Sequence, residues 1–167
     1  QQRALVLFAE GLRSLSLAYA FYGFNGERAA QVNMWRLKDF DESYEEEVLR
    51  RMGNLRAQGA TRLGAILRHA THRLRLRPEG KRLLILISDG RPEDRDGYRG
   101  ERGVADSAMA VQEAARAGIH VHCISLDKDP SAAAEYLKPV FGAGRFLVVP
   151  KVEQLAKRLP ELFVSLV

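Results

Sequence analysis

Apolar residues change their spacing repeatedly along this chain, and the changes mark out its elements. Leu5, Phe8, Leu12 and Leu15 form a helical stripe over residues 1–16. Residues 17–24 form a continuous apolar run that predicts a buried strand closing at Asn25-Gly26. Residues 31–37 predict a second strand, reached by a hairpin-like reversal. Val32, Met34 and Arg36 alternate there with Asn33 and Trp35, which suits an edge strand. Ser43 and Glu46 have capping-box spacing, so the acidic stretch 41–47 predicts the start of a short helix reaching Met52 rather than a cation site. Gly59-Ala60-Thr61 then leads into an amphipathic helix with Leu63, Ile66, Leu67, Ala70 and Leu74 on one stripe, ended by Pro78-Glu79-Gly80.

Leu83-Leu84-Ile85-Leu86-Ile87 breaks this alternation with five aliphatic residues in a row, the pattern of a strand buried on both faces. A charged, glycine-containing loop follows over residues 90–103. A helix is predicted over 104–117, a strand over 119–126, a short helix over 131–141 and a strand over 145–149. The helical region 152–167 carries Leu155, Leu159, Leu162, Phe163 and Leu166 and is interrupted at Pro160. Strands alternating with helices are βαβ units, so the expected fold is α/β. It is a doubly wound, mostly parallel sheet with helices on both faces, forming one domain over residues 1–167. Such sheets open with a central strand, whereas this sequence opens with a core-packing helix. A first strand ahead of Gln1 is therefore expected, and without it a slot with exposed edges would lie between its neighbours.

Composition narrows the function classes. Lys and Arg total 26 against 21 Asp and Glu, a formal net charge of +5. The basic residues are scattered among acids, with no basic run interleaved with aromatics, so a mixed solvated surface is expected rather than a nucleic-acid interface. No apolar run approaches a membrane span. Cys123 is the only cysteine, which rules out an internal disulfide and makes a reducing compartment, the cytoplasm, the expectation. His69 and His72 lie one helical turn apart, but no third ligand accompanies them. His120 and His122 share a strand face and are expected to pack, as is Cys123.

Two positions carry candidate chemistry. Asp89 stands where the strand 83–87 leaves the core, and open α/β sheets place their chemistry at the carboxyl ends of strands. Thr61 stands at the mouth of the helix leading into that strand. A hydroxyl and a carboxylate meeting at one sheet edge are hard oxygen ligands, suited to Mg²⁺, Mn²⁺ or Ca²⁺. Equally, Thr61 serves as a helix cap and Asp89 as a turn residue in the plainer account. Arg91, Arg95, Arg99 and Arg102 follow Asp89 and form either an attractive surface for an acidic partner or a solvated loop, with Glu93 and Asp94 near enough to neutralise them.

Ile87-Ser88-Asp89-Gly90 and Gly59-Ala60-Thr61-Arg62-Leu63-Gly64 resemble the third and second metal-binding segments of the von Willebrand factor A-type (VWA) domain. The first segment of that site, Asp-x-Ser-x-Ser, is not in this sequence and would lie just before Gln1. Phe21-Tyr22-Gly23-Phe24, Arg36-Leu37-Lys38-Asp39-Phe40-Asp41, Thr61 to Ala70, Asp89 to Asp94, Tyr98-Arg99-Gly100, and Tyr136-Leu137 with Phe141-Gly142 are similar to a narrower group. That group is the C-terminal A-type domain of accessory proteins that activate nitric oxide reductase or Rubisco with a MoxR-type AAA+ ATPase. The resemblance implies a non-catalytic, cytoplasmic adaptor. Its divalent cation, Mg²⁺ or Mn²⁺ or Ca²⁺, is held at Thr61 and Asp89 and grips an acidic partner residue, weakly if the first segment is missing. The implied partners are the ATPase and its client enzyme, with no nucleic acid and no membrane insertion. The alternative is a metal-dependent α/β hydrolase or phosphoryl-transfer domain with Asp89 as ligand. Against it, the sequence has no Gly-x-Ser-x-Gly elbow, Walker-type loop or Gly-x-Gly-x-x-Gly run.

Overall fold

The computed structural model describes residues 2–13, 17–56, 59–88, 91–151 and 153–155. In chain order these form α1 (Gln2–Arg13), β1 (Phe21–Gly26), β2 (Val32–Lys38), α2 (Glu46–Gly53) and α3 (Leu63–Arg75). Then come β3 (Arg82–Ser88), α4 (Gly100–Arg116), β4 (Ile119–Ser125), α5 (Pro130–Phe141) and β5 (Phe146–Val148). β1 and β2 pair as an antiparallel hairpin, while β3, β4 and β5 form a parallel sheet in that order.

The aliphatic run in β3 is explained by cores on both sides of it. Leu84 and Leu86 pack with Leu63 and Leu67 of α3, Ala110, Val111 and Ala114 of α4, and Leu137 and Phe141 of α5. Ile85 and Ile87 face the opposite cluster, built from Phe8 and Leu12 of α1, Val48 and Met52 of α2, Phe21, Leu37 and Ile124. Alternate side chains of one strand thus enter two different cores, as a sheet with helices on both faces requires.

Between β1 and β3 the sheet is interrupted. Among the described residues β1 pairs only with β2 and β3 only with β4. A cavity of about 680 Å³ separates them, lined by Phe21 to Phe24 on one side and Leu83 to Ser88 on the other.

Three local expectations need correction. The first strand begins at Phe21 rather than Leu17, because residues 17–20 are irregular and Leu17 is exposed. Ser43 and Glu46 form no capping box. Instead Glu42 accepts from the Asp39 backbone N–H and pairs with Arg51, holding residues 39–42 in a turn. The helix therefore starts later, with Glu45 at its cap and no side-chain capping bond. α4 begins at Gly100, a turn ahead of the expected Val104, because Gly103 sits inside the helix where its missing side chain is needed for packing. The predicted final helix is described only over Glu153 to Leu155, and the rest of it lies outside the described residues.

Candidate functional site

The carboxyl ends of β1 and β3 come together around the segment 59–62. Gly59 takes a positive φ of 74°, which suits glycine and turns the chain into this segment. Gly26, the last residue of β1, exchanges backbone hydrogen bonds with Ala60 at 2.7 and 2.8 Å. The backbone N–H of Thr61 donates to the carbonyl of Glu93 at 2.8 Å, in the loop after β3. Thr61 and Ser88 both line the cavity between the two sheets.

Thr61 is not the helix cap. Arg62 holds that position, without a side-chain capping bond. The Thr61 hydroxyl makes no hydrogen bond among the described residues, so it remains available as an oxygen ligand at the mouth of the cavity. Asp89, with Gly90, lies outside the described residues. Ser88, directly before it, ends β3 and is buried.

Arg62 and Asp94 make a buried ion pair at this rim, and neither stands out in the sequence. The Asp94 side chain is fully shielded from solvent and that of Arg62 is 11% exposed. Arg62 Nε donates to Asp94 Oδ2 at 3.1 Å, and its Nη2 pairs with Asp96. Its guanidinium also stacks 4.5 Å from the centre of the Tyr98 ring. Asp94 Oδ1 accepts the backbone N–H groups of Arg28 at 3.0 Å and Arg95 at 2.7 Å. Burial opposes ionisation of Asp94, but these two donors and Arg62 outweigh it and hold the carboxyl below its usual range. Three separate segments, the β1–β2 turn, the start of α3 and the loop after β3, are thereby tied at one carboxylate.

Behind this clasp lies a second network. The backbone N–H of Gly64 donates to the Tyr98 hydroxyl at 3.0 Å, and that hydroxyl donates to Asp106 Oδ2 at 2.7 Å. Arg68 donates to Asp106 at 2.8 Å and to Glu113 at 2.7 Å, joining α3 to α4. Burial raises the Tyr98 pKa, and the Asp106 carboxylate adds to the rise. Burial also opposes ionisation of Asp106, yet hydrogen bonds from Tyr98 and Arg68 keep its carboxyl below the usual range. Tyr98→Phe keeps the ring but strands the buried Gly64 N–H and one Asp106 oxygen. A loss of about 1–3 kcal/mol in urea unfolding is the expected result.

The four loop arginines do not share one environment. Arg91 reaches α5, 4.0 Å from Glu135 and 5.6 Å from the Tyr136 ring centre. Arg95 lies 3.8 Å from Glu27 in the β1–β2 turn. Arg99 takes the cap position of α4 and Arg102 its first turn, and all four are exposed. Asp94 is committed to Arg62 and to backbone donors, so its charge faces inward rather than neutralising the loop. Exposed pairs such as Arg95 with Glu27 contribute little to stability.

The histidines and the cysteine offer no nucleophile or metal cluster. His69, His72 and His120 are exposed, whereas His122 is buried and burial lowers its pKa. Cys123 is buried, which pushes its thiol pKa far up and leaves it inert as a nucleophile at neutral pH. Among the described residues no three His, Cys, Asp or Glu side chains gather as a metal site, and no helix is long and apolar enough to cross a membrane.

Comparison with known proteins agrees with this geometry. The model of the von Willebrand factor type A domain matches residues 4–159. Protein NorD of Stutzerimonas stutzeri is 38% identical over 153 residues, covering 92% of this chain and 24% of that protein. Protein NorD of Brucella melitensis is 34% identical over 163 residues, covering 98% of this chain and 25% of that protein. An uncharacterised protein of Pseudomonas aeruginosa is 43% identical over 160 residues, covering 96% of this chain and 26% of that protein. The chain thus spans about a quarter of the length of the curated relatives it matches. A parallel sheet with helices on both faces and a family match over nearly its whole length make this chain a member of the von Willebrand factor type A domain family.

Proposed function

We propose that this chain is a non-catalytic, protein-binding adaptor domain that takes an acidic side chain of a partner at the rim where Thr61 stands, with Asp89 as the second residue involved. Family membership and the NorD-named relatives support a protein-interaction role. The observation that carries the location is Thr61 itself. Its backbone is fixed to Glu93 at the mouth of the cavity while its hydroxyl is not consumed as a helix cap. Thr61 and Asp89 would hold a divalent cation, Mg²⁺ or Mn²⁺ or Ca²⁺, as hard oxygen ligands. When bound, the cation would offer an open position to a carboxylate oxygen. Arg91, Arg95, Arg99 and Arg102, exposed in the loop after β3 and the start of α4, would favour the approach of an acidic surface. By the resemblance of the sequence to accessory proteins, the finer proposal is that the domain links a MoxR-type AAA+ ATPase to a client enzyme, nitric oxide reductase or Rubisco, in the cytoplasm.

Calorimetry with Mg²⁺ and Mn²⁺ on the longer polypeptide containing this domain tests the proposal. Asp89→Ala should abolish cation binding and Thr61→Val should weaken it by about tenfold or more, while both variants keep the wild-type melting temperature. Capture of the ATPase and of the client should fall with each substitution and with EDTA. Unchanged affinity and capture in both variants would rule out adhesion through a cation, and cation-dependent turnover of a phosphate or carboxyl ester would favour the hydrolytic alternative.

A further inference from the structure

The amino ends of β3 and β4, opposite the Thr61 rim, carry a concentration of positive charge. Arg73-Leu74-Arg75-Leu76-Arg77 alternates cations with leucines, and Lys81-Arg82 follows with Glu79 as the one acid between them. Most of the chain's net charge of +5 sits in this run, which closes α3 and opens β3. Arg82 Nη2 donates to the carbonyl of Arg77 at 3.0 Å and folds the run back on itself. Arg82 is also in register with Ile119, the first residue of β4, and Arg116 ends α4 just before that strand. Arg75, Arg77, Arg82 and Arg116 thus gather where two helices end and two strands begin. Part of this charge serves the fold. Cations in the last turn of a helix offset the partial negative charge there. Arg73 is paired with Asp39 at 3.3 Å, and Arg77 with Asp41 at 3.3 Å and Glu79 at 3.0 Å. Arg75 and Arg116, by contrast, are exposed and have no carboxylate partner among the described residues. Leu76, the C-cap of α3, is 68% exposed, more than any other large apolar side chain described.

We infer that this face is a second docking surface, whose partner is an acidic protein segment carrying an apolar side chain. A lone exposed leucine is ordinary on a protein surface. One set among arginines that lack partners has the make-up of an interface centre, where arginine and apolar side chains are enriched. Carboxylates of the segment would take Arg75 and Arg116 through charge-assisted, two-pronged hydrogen bonds. Its apolar residue would cover Leu76 and remove both from water. A nucleic acid also supplies anions, but the cations here alternate with leucines rather than with rings. The Phe40 ring, on which a base could stack, lies under the Arg77 guanidinium at 4.7 Å. The seven residues of β3 separate this face from the Thr61 rim by about 20 Å. Two surfaces at opposite ends of one sheet can be occupied together, so the domain would bridge two proteins rather than hold one. The second surface goes beyond the adaptor reading and needs no cation at Thr61.

Fluorescence anisotropy on the longer polypeptide containing this domain tests it. The probe is a labelled helical peptide of glutamates with a leucine stripe, compared with the same peptide carrying serine for leucine and with a labelled DNA duplex. The leucine peptide should bind more tightly than either. Arg75→Glu with Arg116→Glu should weaken it at least about tenfold, and Leu76→Ser should bring it down to the affinity of the serine peptide. All three side chains are exposed, so these variants should keep the wild-type melting temperature. Arg75→Gln with Arg116→Gln, which removes charge without adding repulsion, should give an intermediate affinity even where the reversed charges disturb folding. EDTA and Thr61→Val act at the other end of the sheet and should leave peptide binding unchanged, so the two surfaces fail separately. Four results would overturn the inference: no binding of the leucine peptide, an affinity indifferent to the substitutions, tighter binding of the duplex, or loss of peptide binding in EDTA.

Discussion

Asp94→Ala should destabilise the domain by about 3–5 kcal/mol, the range for breaking a buried ion pair by deleting one partner. The loss has two sources. Arg62 is left shielded from solvent beside a cavity, with only the more exposed Asp96 as counter-ion. The backbone N–H groups of Arg28 and Arg95 also lose their acceptor. Asp94→Asn retains an oxygen for those donors but no charge for Arg62, so it should fall between the alanine variant and the wild type. Chemical denaturation of the three proteins at pH 7 checks the order.

Acid should remove the difference. The folded-state pKa of Asp94 lies below its unfolded value, which is about 3.9. A lowered carboxylate contributes its stability in full above the unfolded value and loses it as pH falls through the folded one. The wild type therefore forfeits this share below about pH 4, and the alanine variant has none to forfeit. The two stability curves should converge on acidification, with Asp39 and Asp106, also lowered, titrating in both proteins. Curves that stay parallel from pH 7 to pH 3 would show that the carboxylate charge is not what Asp94 supplies.

The chain's periodicity carried the architecture further than it carried the site. Five aliphatic residues in β3 announce two cores because each core selects alternate side chains, and that requirement is local. The interruption beside β3 was also legible, as a slot expected between neighbouring strands of a doubly wound sheet. Thr61 could be marked because Gly59 and the following stripe locate a helix mouth. Arg62 could not, since an arginine entering a helix looks the same whether it meets solvent or a buried carboxylate. Asp94 stands among Glu93, Arg95 and Asp96, and nothing in their order says which acid turns inward. Two contacts across the fold, from Arg28 and Arg62, make that choice, and the neighbouring Arg95 N–H adds a local one. The capping box misled for a related reason. Its spacing was right, but Arg51 and the Asp39 backbone N–H claim Glu42 and delay the helix.

Two glycines inside helices should respond to alanine with opposite signs. Gly103 is buried in the first turn of α4, and a methyl group there would land on the carbonyl oxygen of Pro92. Backbone occupies that space, so either the helix or the loop has to move. Overpacking of this kind costs about 1–3 kcal/mol. The loop that would move carries Glu93 and Asp94, hence the Thr61 hydrogen bond and the Arg62 clasp. Gly103→Ala should therefore lower the melting temperature and speed amide exchange at Thr61 together. Gly53 ends α2, and a methyl group added there would meet nothing within 4 Å. Gly53→Ala should stabilise by about 0.5–1 kcal/mol, through helix propensity and a less disordered unfolded chain. Thermal melts of the pair separate close approach from propensity. If Gly103→Ala were as benign as Gly53→Ala, α4 would not rest on the loop after β3, and the rim at Thr61 would lack the rigid support that an oxygen ligand needs.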